Sequence, residues 1–410
     1  MRIALATVGT TGDVRPFAAL AGTLAAGGHD VTVASWELHR PVFVGLAARF
    51  VASGPETTDA DVRRTAAQAA AQRSPLRQVS VLRAFHLRQA AAHYAQLRAV
   101  LHGHDLVVLH GIHALAEAAA RDEGLAYVTA AFDPVLLPTS TAPPAGMPNL
   151  GPLNRLAWRA LDRALRGEDR VLADALRAAG SPSADAGLRL FRARSALLHL
   201  VAVSPALVPP PADLPDEVHF TGDWRDAQRP VPLPDAVERF LASGPRPLLV
   251  TFGSMASPDG ELGRVVLDAA LQARQRVLLQ DAVTPRADPS ADVLRLGRVE
   301  HASLLPRVAG MVHHGGAGTT HAAARAGIPQ LVVPFVGDQR FWGRQAHRLG
   351  LGPPPLEARA ANASRLAQRV GLLGDPARYA GATRAIATRM GVEDGVSRAM
   401  VLIEAAATRP

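Results

Sequence analysis

The stretch Gly310–Val333, GMVHHGGAGTTHAAARAGIPQLVV, decides the architecture of the second half of the chain. A short apolar run, Gly310–His313, meets a glycine-rich turn and then a helical run predicted over Thr319–Ala326. Gly327 ends that run, and Gln330–Val333 is apolar again. A strand, a helix stopped by glycine and a second strand make a βαβ unit, which requires a parallel sheet. On either side the alternation continues. Strands are expected at Pro247–Phe252, Arg276–Gln280 and Val293–Leu296, with helices near Leu262–Ala273, Ala302–Arg307 and Phe341–Leu349 and further helices beyond.

The first half follows the same pattern. Ile3–Thr7 reads as a strand, and Val14–Ala26 places Phe17, Leu20, Ala21 and Leu24 at helical spacing before Gly27-Gly28. Asp30–Ser35, Asp105–Leu109, Ala126–Ala130 and His199–Val203 are further strands, and 55–100 is Ala-, Gln- and Arg-rich and helical. The fold class is therefore α/β, with two Rossmann-like, doubly wound parallel-sheet domains. Proline-rich Val208–Leu214 and Arg229–Pro234 separate them. The expected boundaries are 1–208 for the first domain, 209–236 for the linker and 237–390 for the second domain. Residues 391–410 are expected to form a helix that packs back on the first domain.

The chain has 410 residues, 48% of them hydrophobic, enough for two large cores. It contains no Cys and no Lys, so all 44 basic side chains are Arg. The first absence excludes disulfides, thiolate nucleophiles and iron–sulfur clusters. The second excludes Schiff-base chemistry and the P-loop lysine. A formal charge of +8 with only 4% aromatic residues does not suit nucleic-acid binding but leaves room for an anionic small molecule. Met1-Arg2 leads directly into a strand, and no apolar run is long enough to span a bilayer. A cytoplasmic protein without stable membrane insertion, monomeric or homodimeric, is expected.

In doubly wound sheets ligands bind at the carboxyl ends of the strands. His313–Thr320 (HHGGAGTT) lies at such an end, where glycines admit an anion and free N–H groups at a helix start suit a phosphate. A tight turn without a ligand would read the same way. Asp338-Gln339 follows another strand and offers acceptors and donors to sugar hydroxyls. Taken alone, Asp338 reads better as an N-cap. In the first half, Gly9–Asp13 (GTTGD) is not a dinucleotide fingerprint, and Asp13 fits either an N-cap or a general base. His102, His104, His110 and His113 invite a metal reading, but a strand separates the two pairs and no acidic ligands accompany them. His110 ends that strand and is placed either to face the cleft or to bond backbone. Asp133–Gly151 is a long Pro- and Thr-rich loop of the sort that carries function.

Three stretches resemble family 1 glycosyltransferases of the GT-B fold, in which two such domains face each other across a cleft. They are GTTGDVRPFAALAGTLAAGGHDVTVAS at Gly9–Ser35, LLVTFGSM at Leu248–Met255 and HHGGAGTTHAAARAGIPQLVVPFVGDQRFWGRQAHRLGLGP at His313–Pro353. The pattern is similar to bacterial natural-product enzymes of the glycopeptide and macrolide type and to sterol glucosyltransferases. The resemblance implies inverting transfer of a sugar from a nucleotide diphosphate sugar to a small-molecule acceptor, without metal or cofactor. It implies that His314, Gly315, Gly316, Gly318 and Thr319 hold the diphosphate with Gly253 and Ser254, and that Arg298 and Val299 lie against the base. Asp338 and Gln339 would contact the donor sugar. Asp13 would be the general base, with His110 beside it, and Thr10, Thr11, Phe85, His113 and Phe132 would line the acceptor side. Ala322 replaces a ribose-binding Glu of plant-type members, which leaves dTDP and UDP sugars open and favours dTDP slightly. A sterol or lipid glucosyltransferase at the membrane surface, or a non-catalytic auxiliary protein of the same fold, is the alternative.

Overall fold

A computed structural model describes residues 1–72, 74–135, 137–141, 143–144, 147, 149–189, 197–225, 231–252, 261–280, 290–297 and 299–408. It divides into two compact units. One comprises Met1–Pro205, Pro209–Ala227 and Asp394–Pro410, and the other Ala206–Val208 and Gln228–Glu393.

The first unit begins with β1 (Arg2–Ala6), α1 (Thr11–Ala26), β2 (Asp30–Ser35) and β3 (Arg49–Ala52). Three helices follow, α2 (Asp59–Ala71), α3 (Pro75–His86) and α4 (Ala90–Leu101). Then come β4 (Leu106–His110), α5 (Ala114–Asp122), β5 (Ala126–Ala131), α6 (Asn154–Ala178), β6 (Leu198–Val201) and β7 (Val218–Phe220). All strands pair in parallel, in the order β3-β2-β1-β4-β5-β6-β7. Residues alternate between the two faces of each strand, and both faces are covered. Ile3, Leu5, Val31, Val33, Leu106 and Val108 pack on Phe17, Leu20 and Leu24 of α1. Ala4, Ala6, Val107 and Leu109 pack on Tyr94, Leu97 and Leu101 of α4 and the alanines of α5. Each fully buried Leu or Phe on these seams contributes roughly 1.5–3 kcal/mol.

The second unit contains α7 (Asp235–Ala242), β8 (Leu248–Thr251), α8 (Glu261–Gln272), β9 (Val277–Gln280), β10 (Val293–Leu296), α9 (His301–Leu304) and β11 (Gly310–His313). It continues with α10 (Ala317–Arg325), β12 (Gln330–Val332), α11 (Gln339–Arg348), α12 (Ala363–Leu373) and α13 (Pro376–Gly391). The sheet order is β10-β9-β8-β11-β12, again all parallel. The last helix, α14 (Gly395–Ala407), belongs to the first unit. Its Val396, Ala399 and Ile403 join the core of α1, and His29 meets Glu404 at 2.9 Å.

Two strands escape the sequence pattern. Arg49–Ala52 has no fully buried residue, and Val218–Phe220 lies within the proline-rich stretch read as linker, where β6 supplies its hydrogen-bonding partner. Edge strands this short carry too little hydrophobic alternation to be read locally. Among the described residues no helix is long and apolar enough to cross a membrane.

Candidate active site

In the first sheet, successive strands run one way from β1 and the chain then crosses to β4 on the other side, so the switch point lies between β1 and β4. The loops after these two strands meet there. After β1, Gly9 adopts φ 120°, and a Cβ on it would come within 2.5 Å of Asp13 Oδ2. Glycine therefore lets the carboxylate fold back over the loop. Asp13 Oδ2 accepts from the Thr10 N–H at 2.7 Å and the Thr10 hydroxyl at 2.8 Å. Its Oδ1 has no protein partner among the described residues. The carboxylate thus caps the start of α1 with one oxygen and presents the other.

At the end of β4, His110 Nδ1–H donates to the Val8 carbonyl at 3.1 Å across the switch point. That bond fixes the tautomer, so neutral His110 carries its lone pair on Nε2. Burial holds His110 below the usual imidazole range, partly opposed by the charge of Asp13. Its ring lies 5.0 Å from Phe132 and 5.9 Å from Phe17. His113 is buried at the start of α5, its ring 5.1 Å from His93. Phe85 of α3 packs edge-on against Trp36 at 5.4 Å. Thr11 opens α1. The sequence-predicted Asp13, His110, His113, Phe132 and Phe85 therefore share the carboxyl end of one sheet. His102 and His104 sit at its other end, bonded to Glu123 and to the Leu101 carbonyl. Among the described residues no three His, Asp or Glu side chains come together as metal ligands would.

Sequence reading missed three groups here. His39, in the turn after β2, donates from Nδ1 to the Ser35 hydroxyl, which itself donates to the Thr7 carbonyl at 2.8 Å. Its buried Nε2 has no partner among the described residues. His86 and His93 line a cavity of about 10 Å³ with Trp36 and His113, room for about one water. Asp133 follows β5, with Oδ1 accepting the Val135 N–H at 2.9 Å. Burial and then the nearby Asp13 charge push its carboxyl up to about 6.

In the second sheet the switch point lies between β8 and β11. The loop after β8, with Gly253 and Ser254, lies outside the described residues, as does Arg298. After β11 the two adjacent histidines separate in role. His313 donates from Nε2 to Gln330 Oε1 at 2.9 Å and accepts the Gly315 N–H on Nδ1 at 3.1 Å, so both nitrogens serve the fold. His314 Nδ1 is buried without a partner among the described residues. Its Nε2 faces Gly316, where a Cβ would sit 2.6 Å away. Gly316 caps α10 without a side-chain bond, and the first intrahelical bond runs from the Thr320 N–H to the Gly316 carbonyl. The N–H groups of Ala317, Gly318 and Thr319 precede it and have no acceptor in the helix. A Cβ on Gly318 would meet nothing within 4 Å among the described residues. Uncapped N–H groups, an open approach and an unpaired imidazole nitrogen are the elements of an anion site.

Val299 joins the apolar cluster around Leu296 and Leu304. Asp338 makes no N-cap bond to α11 and instead accepts the Trp342 indole N–H at 2.9 Å, which corrects its reading as a simple cap. Gln339 Oε1 accepts the N–H groups of Phe335 and Val336 at 2.8 and 3.1 Å, bracing the loop after β12.

Several buried histidines predict a pH dependence. Burial lowers His39, His93 and His314 to about 4 and His86 and His313 to about 3. The unfolded chain takes up protons on these rings below about pH 6.5, and the folded chain does not until pH 3–4. Stability is therefore full above pH 6.5 and is lost as pH falls from there toward 4. Thermal midpoints measured at pH 7.5, 6 and 5 should fall stepwise; a flat profile would contradict the burial of these rings.

Comparison with known proteins places these features in a family. The model of the erythromycin biosynthesis protein CIII-like C-terminal domain matches residues 265–394. O-mycaminosyltylonolide 6-deoxyallosyltransferase of Streptomyces fradiae is 34% identical over 98% of this chain and 97% of its own. The chain belongs to the family 1 natural-product glycosyltransferases. Vancomycin aglycone glucosyltransferase of Amycolatopsis orientalis is 32% identical over 86% of this chain and 85% of its own. The glycosyltransferase VinC, solved with dTDP, has the same fold at a TM-score of 0.65 and 20% identity, over 99% of each chain. The two doubly wound sheets are those of the GT-B fold, the architecture and family that the three motif stretches imply.

Proposed function

We propose that this glycosyltransferase moves a sugar from a nucleoside diphosphate sugar to a secondary-metabolite acceptor by inversion, with Asp13 as general base. The observation that carries this reading is the pairing of an uncapped helix start with the unpartnered His314 nitrogen, a site for a diphosphate. The names of the relatives support the acceptor class, since they act on a macrolide intermediate and a glycopeptide aglycone. The dTDP bound in VinC supports a thymidine nucleotide as donor carrier.

The first unit is assigned the acceptor. Asp13 Oδ1 takes the acceptor proton as the oxygen attacks the anomeric carbon from the face opposite the diphosphate. The second unit is assigned the leaving group. Charge builds on the diphosphate as the bond to the sugar breaks, and the α10 N–H groups and His314 stabilise it most at that moment. Asp338 and Gln339 orient the donor sugar hydroxyls. The reaction needs no cofactor, because proton transfer falls to a carboxylate and charge stabilisation to backbone and imidazole.

A thermal-shift comparison of dTDP, UDP and GDP tests the donor class, with the largest shift expected for dTDP. His314→Ala should weaken dTDP binding by about tenfold to a hundredfold, the worth of one hydrogen bond to a charged group. Calorimetry that finds unchanged affinity would remove His314 from the phosphate site.

A further inference from the structure

A cavity of about 900 Å³ opens in the second unit, at the amino ends of its strands. Arg246 comes just before β8, Arg276 before β9, Asp292 before β10, Ala309 before β11 and Pro329 before β12, and all five line it. Because the sheet is all parallel, these positions share one end of it. The turn after β11 that holds His314 lies at the other end, about 10 Å away along the strand. The proposed transfer uses nothing on this side of the sheet.

Four arginines line the cavity: Arg246, Arg274, Arg276 and Arg384 of α13. Asp292 is the one acidic residue in the lining, and among the described residues it pairs with none of them. Arg276 is only 8% exposed, yet every acceptor it meets is neutral. Its Nη1 donates to the Pro245 carbonyl at 2.9 Å, and its Nη2 to the Phe240 carbonyl at 2.7 Å and the Ser243 hydroxyl at 2.8 Å. The guanidinium also lies 4.0 Å over the Phe240 ring. These bonds use three of its five N–H donors and cancel none of its charge. A cation withdrawn from water without a counter-ion is costly to hold. Arg274, two residues after α8, has φ 54°, a left-handed position that usually falls to glycine. The side chains of Arg246, Arg274 and Arg384 have no partner among the described residues. Cations near the ends of α8 and α10 would serve the dipoles of those helices. That duty requires neither a cavity nor a buried guanidinium.

We propose that this cavity is a second binding site, separate from the donor site, for a phosphate ester of a small molecule. A planar guanidinium matches phosphate oxygens two at a time. Four of them against one carboxylate suit a dianion. Val308, Ile328 and Pro329 add an apolar wall for the body of the ligand. The volume falls within the range of small-molecule sites, about 300–1,000 Å³. The inference does not rest on the donor reading, since none of its residues belongs to the turn after β11.

The test is calorimetry on the full chain with AMP and with inorganic pyrophosphate, each in the presence of excess dTDP. AMP should bind one per chain. Arg246 and Arg384 are exposed, so Arg246→Gln and Arg384→Gln should keep the thermal midpoint of the wild type. Each should weaken AMP binding by about tenfold to a hundredfold, the worth of a hydrogen bond to a charged group. The double variant should bind none, and Arg166→Gln, the same loss of charge on exposed α6, should bind as the wild type does. No binding of either AMP or pyrophosphate at millimolar concentration would overturn the site. So would an equal loss in Arg166→Gln, which marks general charge attraction, or full AMP binding in the double variant. Pyrophosphate binding as tightly as AMP would overturn the role of the apolar wall and leave an anion site. Flotation with phosphatidic acid vesicles separates the remaining source of phosphate. The chain should stay unbound, and flotation lost in the double variant would overturn a soluble ligand in favour of a lipid headgroup.

Discussion

Asp13→Asn is expected to fold, to bind dTDP as the wild type does, and to lose sugar transfer by roughly 10²–10⁴-fold, the range for removing a general base. Its side-chain bonds explain why these effects separate. Both Thr10 donors converge on a single oxygen, Oδ2, at 2.7 and 2.8 Å. The amide oxygen of Asn can accept both. The new NH₂ then replaces Oδ1, the atom without a protein partner among the described residues, so the cap at the start of α1 survives. A change in stability under about 1 kcal/mol is expected, below the usual cost of deleting a cap. The proposed dTDP site belongs to the other sheet and should not respond. Transfer in this variant within tenfold of the wild type would remove Asp13 from the role of base. It would shift attention to His110, whose Nε2 lone pair is fixed in place by the Val8 carbonyl. The pair His110→Gln and Asp13→Asn then discriminates, since only the true base gives the larger loss.

The architecture was legible because each buried parallel strand is a short apolar run with glycine or a polar turn after it. Gly310–His313, Asp30–Ser35 and Val293–Leu296 are strands with the predicted bounds, while most others differ by a residue or two. The motifs that imply the family are also local, and they lie at the strand ends where the topology places ligands. What escaped was set by neighbours distant in sequence. Asp133 follows a predicted strand and could have been found by the same rule, but it opens a Pro- and Thr-rich loop whose composition drew attention to length rather than to its first residue. That the residue before it, Phe132, packs on His110 depends on β5 lying beside β4, which no spacing along the chain reveals. The different duties of His313 and His314 were equally hidden. They turn on Gln330, a residue of the next strand that takes up one ring and leaves Nδ1 of the other without a partner among the described residues. Asp338 and Gln339 read as a pair facing a sugar, yet each also serves its own element, one through Trp342 and one through the backbone of Phe335 and Val336.

The glycines of the phosphate loop look alike in sequence and should behave oppositely under the same substitution. Gly315 has φ 88°, and a Cβ there would fall 2.5 Å from Val332 Cγ1 and 2.9 Å from the Gln339 carbonyl oxygen. Gly315→Ala therefore combines a left-handed backbone, costing about 1–2 kcal/mol, with overpacking that costs about 1–3 kcal/mol more. A loss of about 2–5 kcal/mol in denaturant unfolding is expected. Relief of the clash must move the loop that holds His314 and the start of α10, so dTDP affinity should also fall by more than tenfold. Gly318 lies inside the first turn of α10 without a positive φ, and its Cβ would meet none of the described residues. Gly318→Ala should leave stability unchanged or slightly raised, because Ala favours a helix over Gly by about 1 kcal/mol. It should nevertheless weaken dTDP binding, since the new methyl projects where the diphosphate is proposed to approach. If Gly318→Ala binds dTDP as tightly as the wild type, the phosphate does not lie over the α10 start. If Gly315→Ala is as stable as the wild type, the tight turn that places His314 is not formed as described.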